Sequence, residues 1–130
     1  AVAMRLIQWP KGYDVIITAN LFGDILTDEA SVIAGSMGLM PSSSVGSKVS
    51  LYEPIHGSYP QAAGKDIANP LATVLSAAMM FEDFGLTQEA QVIRDVVNKS
   101  LAKGIVTEDL ADGGKSYKTS EVGDWLAQHI

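Results

Sequence analysis

Apolar positions along this chain change spacing several times, and each change marks an expected element. The opening stretch, Ala1 to Trp9, reads as the tail of an amphipathic helix stopped by Pro10 and Gly12. Tyr13 to Thr18 is short, β-branched and almost continuously apolar, the pattern of a strand covered on both faces in a parallel α/β sheet. From Asn20, an expected N-cap, apolar side chains at 21, 22, 25, 26, 32 and 33 recur at helical spacing to about Ala34. Gly35 to Lys48 is dense in Gly, Pro and Ser and predicts a loop, and Val49 to Tyr52 a short strand. Glu53 to Asn69 has no apolar period and predicts a long irregular loop, of a length that compact domains keep mainly for function.

The second half is expected to be helical. Asn69-Pro70 is an N-cap followed by proline at the first helical position, opening a helix from Leu71 through Phe84 that closes at Gly85. Thr87 is expected to cap the next helix, which runs to about Lys103 with Val92, Val96 and Leu101 in its buried stripe and Gly104 as terminator. Residues 105–118, with Asp112-Gly113-Gly114, predict a connection. Val122, Trp125, Leu126 and Ile130 then suit a final short helix capped by Thr119 or Ser120. The organisation expected is one unit, with residues 1–45 around the first long helix and residues 46–130 formed by the loop and the helices after it.

Composition narrows the function classes. A chain of 130 residues with 47% hydrophobic and 18% charged residues can pack a core, so disorder does not describe it. Its net charge of −6, with no Lys/Arg cluster, makes nucleic acid and anionic membrane poor partners. No apolar run approaches the roughly 18 residues of a membrane span. Without cysteine there are no disulfides, thiolate metal sites or thiol nucleophiles, which is compatible with a cytoplasmic location. The first residues lack a signal-peptide pattern and start inside an element, so a fragment of a longer protein is expected.

Two constellations carry chemistry. Asp24 and Asp28 stand four residues apart, so both carboxylates leave one helix face, at the border of its apolar arc. Two like charges at such a border either solvate a helix flank or share a divalent cation, for which oxygen ligands favour Mg²⁺ or Mn²⁺ over zinc. Glu29 falls inside the apolar arc, which implies a hydrogen-bonding partner, for instance at a subunit contact, or a helix more fully exposed than its pattern suggests. The second constellation is the stretch Glu53 to Pro70. Gly57 and Gly64 permit close backbone approach, His56 and Tyr59 can stack on or hydrogen-bond to a base, and Asn69 can pair with a base edge. The chain has no G-x-G-x-x-G, so a nucleotide site here is not the common dinucleotide fingerprint. With only two histidines, a multi-histidine metal centre is excluded.

Taken together, Asn20 to Ser31 (NLFGDILTDEAS), Glu53 to Ser58 (EPIHGS) and Ile67 to Pro70 (IANP) closely resemble the β-decarboxylating dehydrogenases, and within them the 3-isopropylmalate dehydrogenases. The resemblance covers nearly the whole chain. It implies an α/β fold: the C-terminal part of a two-domain enzyme, with short sheet strands packed with four to five helices. It also implies an NAD-dependent oxidative decarboxylation of 3-isopropylmalate in leucine biosynthesis, by a homodimer. Asp24 and Asp28 become ligands of Mg²⁺ or Mn²⁺, and the loop becomes the wrap around the cofactor. By the same resemblance Glu53, His56, Gly57, Ser58, Tyr59, Gln61, Ala68 and Asn69 contact the cofactor, Glu53 nearer the nicotinamide and His56 and Asn69 on the base. Gln61 departs from the family pattern, because NAD-dependent members place an aspartate there for the ribose hydroxyls. The third metal aspartate, the arginine clamp and the tyrosine and lysine acid/base pair belong upstream of Ala1, so no catalytic residue is expected in this chain. Rival readings are a segment of a related tartrate, D-malate or isocitrate dehydrogenase, or a non-catalytic nucleotide-binding or oligomerisation module.

Overall fold

The computed structural model describes residues Ala1–Ile130 as five α-helices and one two-stranded antiparallel sheet. Helix α1 (Val2–Gln8) ends at Trp9, and Pro10–Gly12 form a 3-10 turn, as the Pro/Gly punctuation predicts. Helix α2 (Asn20–Ala34) closes on Gly35, whose φ of 103° lets its N–H reach back to Ser31 and Val32. Strands β1 (Pro41–Val45) and β2 (Ser50–Pro54) follow, then α3 (Leu71–Asp83), α4 (Thr87–Lys103) and α5 (Thr119–His129).

The core lies among the last three helices. Leu71 of α3, Val96 and Val97 of α4, and Val122 and Leu126 of α5 form one buried cluster. Ala78, Ala90 and Ile93 close the α3–α4 contact at its other end. Gly85 and Gly104, both at positive φ, make the turns that set α3 against α4 and release the chain from α4. A bidentate ion pair between Arg94 and Glu82, at 2.9 and 3.0 Å, crosses the same helix pair at the surface. The hairpin pairs Ser43 with Tyr52 at its centre and lies against α3, where the Tyr52 hydroxyl donates to Asp83 at 2.5 Å.

Four expectations require correction, and at Glu29 the more exposed helix is what the structure shows. Residues 13–18 are extended but belong to no sheet, and Ile17 is 96% exposed. A strand buried on both faces needs neighbours, and this chain offers it none. The expected Gly35–Lys48 loop contains β1, because Ser42, Ser43 and Ser44 pair with Glu53, Tyr52 and Leu51 across the hairpin, and pairing overrides the turn-rich composition. In α4 the buried stripe runs through Ala90, Ile93, Val96, Val97 and Ser100, whereas Val92 and Leu101 face outward. Asn20, Thr87 and Thr119 are each the first helical residue rather than the cap, and none caps its helix through its side chain. Glu29 is half-buried without a side-chain hydrogen bond, on a helix whose Leu21, Phe22, Ile25 and Val32 are exposed.

Candidate functional site

Two open cavities meet at one short piece of backbone. The smaller, about 590 Å³, is lined by Asn20, Asp24, Thr27 and Asp28 of α2 and by Glu53 to Gly57 at the end of β2, with Thr18, Ala19, Gly23 and Ser42 completing it. The larger, about 610 Å³, takes His56 to Tyr59 and Ile67 to Asn69 from the long loop, and Ser36, Met37, Gly38, Glu108 and Asp109 from the opposite side. His56 and Gly57 belong to both.

The helical spacing of Asp24 and Asp28 delivers both carboxylates to the smaller cavity. Asn20 donates its amide to Asp24 Oδ2 at 3.0 Å, one turn earlier, and so fixes that carboxylate's orientation. Glu53, Asn20 and Thr27 add further oxygen donors to the wall. No third acidic or imidazole side chain of this chain completes a metal-binding cluster with them. The donor set is therefore all hard oxygen and open on one side, which fits Mg²⁺ or Mn²⁺ with other positions left for water, substrate or further protein ligands.

The loop walls the larger cavity with backbone and small side chains. A Cβ at Gly57 would meet no atom of the chain, so its bare backbone leaves room facing both cavities. His56 donates from Nδ1 to the Gly57 carbonyl at 3.0 Å, since a carbonyl only accepts, which leaves Nε2 a free acceptor. Tyr59 is held at φ 44°, unusual for a residue with a side chain, and its ring is exposed at the cavity edge. Gln61 lies in the 3-10 turn Pro60–Ala62, exposed and outside the cavity lining.

Asn69 is engaged on both sides. Its Oδ1 accepts the Leu71 N–H at 3.0 Å, capping α3, and its Nδ2 donates to Asp109 Oδ2 at 2.9 Å. The same Asp109 accepts the hydroxyls of Ser36 and Thr107. Partial burial pushes the Asp109 carboxyl upward, but the three hydrogen bonds from Ser36, Thr107 and Asn69 outweigh it and hold it below the ordinary carboxylate range. Gly38 is buried directly against this amide: a Cβ there would sit 2.6 Å from that of Asn69. The sequence reading missed Ser36, Gly38, Glu108 and Asp109 as part of this site. Asp109 lies 40 residues beyond Asn69 in a featureless connection, where no local signal marks it.

With that geometry in place, likeness to known proteins identifies the lineage. Residues 1–126 match the family described as isocitrate/isopropylmalate dehydrogenase. The chain belongs to that family. The 3-isopropylmalate dehydrogenase of Bacteroides fragilis is 53% identical over 129 residues, covering 98% of this chain and 36% of the relative. The homoisocitrate dehydrogenase of Methanocaldococcus jannaschii is 47% identical over the whole of this chain and 37% of its own length. Among solved structures, the isocitrate dehydrogenase of Methylococcus capsulatus superposes with a TM-score of 0.93 at 36% identity, covering 98% of this chain and 38% of that one. The chain thus spans little more than a third of the isocitrate/isopropylmalate dehydrogenases it matches, and its helices and hairpin are an α/β portion of their fold. No helix of the chain is long and apolar enough to cross a membrane.

Proposed function

We propose that this chain is the metal- and cofactor-binding C-terminal segment of an NAD-dependent 3-isopropylmalate dehydrogenase, a cytoplasmic homodimeric enzyme of leucine biosynthesis. The observation that carries the reading is the common wall of His56 and Gly57, which sets the cavity of Asp24 and Asp28 beside the cavity of the long loop. Oxidative decarboxylation of a 2-hydroxy acid needs that adjacency, because the carbon that loses hydride must lie against the nicotinamide and its oxygens against the cation. Asp24 and Asp28 would hold Mg²⁺ or Mn²⁺ there, which would supply Lewis-acid stabilisation of charge on substrate oxygen, and the loop would hold NAD, the hydride acceptor.

In this reading each of the chain's own residues takes a role that its position supports. Asp24 and Asp28 hold the cation, with Asn20 orienting Asp24. Glu53 stands at the nicotinamide end, in the same cavity as the two aspartates. Gly57, Ser58, Tyr59, Ala68 and Asn69 enclose the adenosine half, and His56 presents Nε2 between the two. The proton-transfer groups and the substrate's carboxylate clamp lie in the remainder of the enzyme.

The test is turnover by the complete enzyme with 3-isopropylmalate, NAD and Mn²⁺, set against isocitrate, homoisocitrate, tartrate and D-malate. Asp24→Asn and Asp28→Asn are expected to raise the Mn²⁺ needed for half-maximal activity by about tenfold or more, as perturbed metal sites do. An unchanged metal titration in both variants would return the pair to a solvated helix flank. Preference for another hydroxy acid would move the enzyme within its family.

A further inference from the structure

The long loop is held from behind by a helix that contributes nothing to either cavity. Asp66 sits at φ 57°, in the left-handed region, one residue before the cavity-lining Ile67. Its Oδ1 accepts the Ser120 N–H at 2.9 Å and its Oδ2 the Ser120 hydroxyl at 2.6 Å, so it caps α5 from 54 residues away. The Thr119 N–H donates to the Asp66 carbonyl at 3.0 Å, and the Thr119 hydroxyl to the Ala68 carbonyl at 2.6 Å. Four hydrogen bonds thus tie residues 66–68 to the first turn of α5, while Ile67, Ala68 and Asn69 line the larger cavity. On the other side of Ala68, Asn69 is tied to Asp109. The stretch facing the cavity is therefore anchored at both ends and along its back.

We infer that Asp66, Thr119 and Ser120 form a positioning clamp that holds the cofactor loop in its binding conformation, so that the α5 N-terminus sets affinity for the dinucleotide. This rests on the assignment of the larger cavity to the adenosine half of the cofactor. None of the three residues lines either of these two cavities, and their effect passes through the backbone of Ile67 and Ala68. Four anchors fix few residues, so losing the Asp66 carboxylate frees the loop to spend part of its time out of place. Apparent affinity then falls by the fraction of time the loop is competent.

Asp66→Gly removes that carboxylate while accepting the left-handed backbone without strain, and Ser120→Ala, which leaves the loop backbone as it is, separates the lost bonds from the added freedom of glycine. In the complete enzyme it is expected to raise KM for NAD roughly five- to tenfold, the consequence of a loop in place about a tenth to a fifth of the time. Saturating NAD restores the loop, so kcat, KM for the hydroxy acid and the Mn²⁺ requirement stay at wild-type values. Asp66→Asn keeps one acceptor oxygen and tolerates the same backbone, and should remain within about twofold of wild type. Ser120→Ala removes one bond from the helix side without touching the loop, and should give a smaller rise in the same constant. It also keeps the question answerable should the glycine variant not fold. A folded Asp66→Gly or Ser120→Ala enzyme with lower melting temperature but wild-type KM for NAD would overturn the clamp and leave Asp66 a helix cap alone. Wild-type enzyme that uses neither NAD nor NADP would overturn the cofactor assignment itself, a distinct result.

Discussion

Asn69 and Gln61 show how differently two amides of one loop are placed. Asn69 already caps α3 and grips Asp109, so what it would offer a base in the proposed enzyme is the hydrogen and lone pair left over, aimed by those two bonds. Gln61 makes no side-chain hydrogen bond to the protein and stands exposed on its turn, outside both cavity linings, and its contact with ribose belongs to the proposed reading. A carboxylate at that place accepts from both ribose hydroxyls with charge assistance and repels a 2′-phosphate, whereas an amide does neither fully. Gln61→Asp in the complete enzyme is therefore expected to shift kcat/KM toward NAD over NADP by ~1–2 kcal/mol. The ratio of the two specificity constants at one salt concentration measures it, and a ratio that stays put would mean that Gln61 faces away from the ribose. At this scale the sequence displayed the cavity-lining residues that its own motifs mark, such as Asp24, Asp28 and His56. It concealed Asp109 and Gly38, whose importance comes from neighbours distant in the chain.

Elements were legible where their signals are local. Asn69-Pro70 opens α3 and Gly85 and Gly104 end α3 and α4 as expected, because caps and left-handed turns are written within a few residues. Of the strands only β2 was legible, from Val49 to Tyr52; β1 owes its existence to β2, and residues 13–18 stay unpaired for want of a neighbour. The joints between elements have a common chemistry: Asp66 to α5, Glu82 to α4, and Asp109 to both Asn69 and Ser36. Hydrogen bonds from Ser120 hold Asp66 below the ordinary carboxylate range, and the bond from Arg94 does the same for Glu82. A carboxyl depressed in the folded state stabilises above its unfolded pKa of about 4, and that contribution disappears as pH falls through the depressed value. The Asp109→Asn enzyme should accordingly melt below wild type at pH 7, with the gap constant down to about pH 5 and closing as pH falls below about 4. Thermal melts of the pair across pH 3 to 7 check it, and a gap that widens in acid would have the wrong sign for this joint.

Across the whole molecule, burial is uneven. The three C-terminal helices share a closed core, while Met4, Ile7 and Trp9 of the first segment, Val15 and Ile17 of the extended one, and Leu21, Phe22 and Ile25 of α2 are exposed together. Apolar surface on that scale needs cover, which in the proposed enzyme comes from the remaining sheet and the second subunit. The 130-residue chain alone is expected to show no 3-isopropylmalate oxidation with NAD and Mn²⁺, and to self-associate as its concentration rises. Sedimentation at several concentrations and an activity assay test both expectations; a monomer that turns over substrate would overturn them. The wall shared by His56 and Gly57 has a further consequence. In the proposed enzyme a cation on one side of that wall and a dinucleotide on the other act on each other reciprocally: whatever factor one imposes on the other's affinity is returned unchanged. Where that factor favours joint binding, an enzyme short of one ligand feels the shortage as a weaker hold on the other.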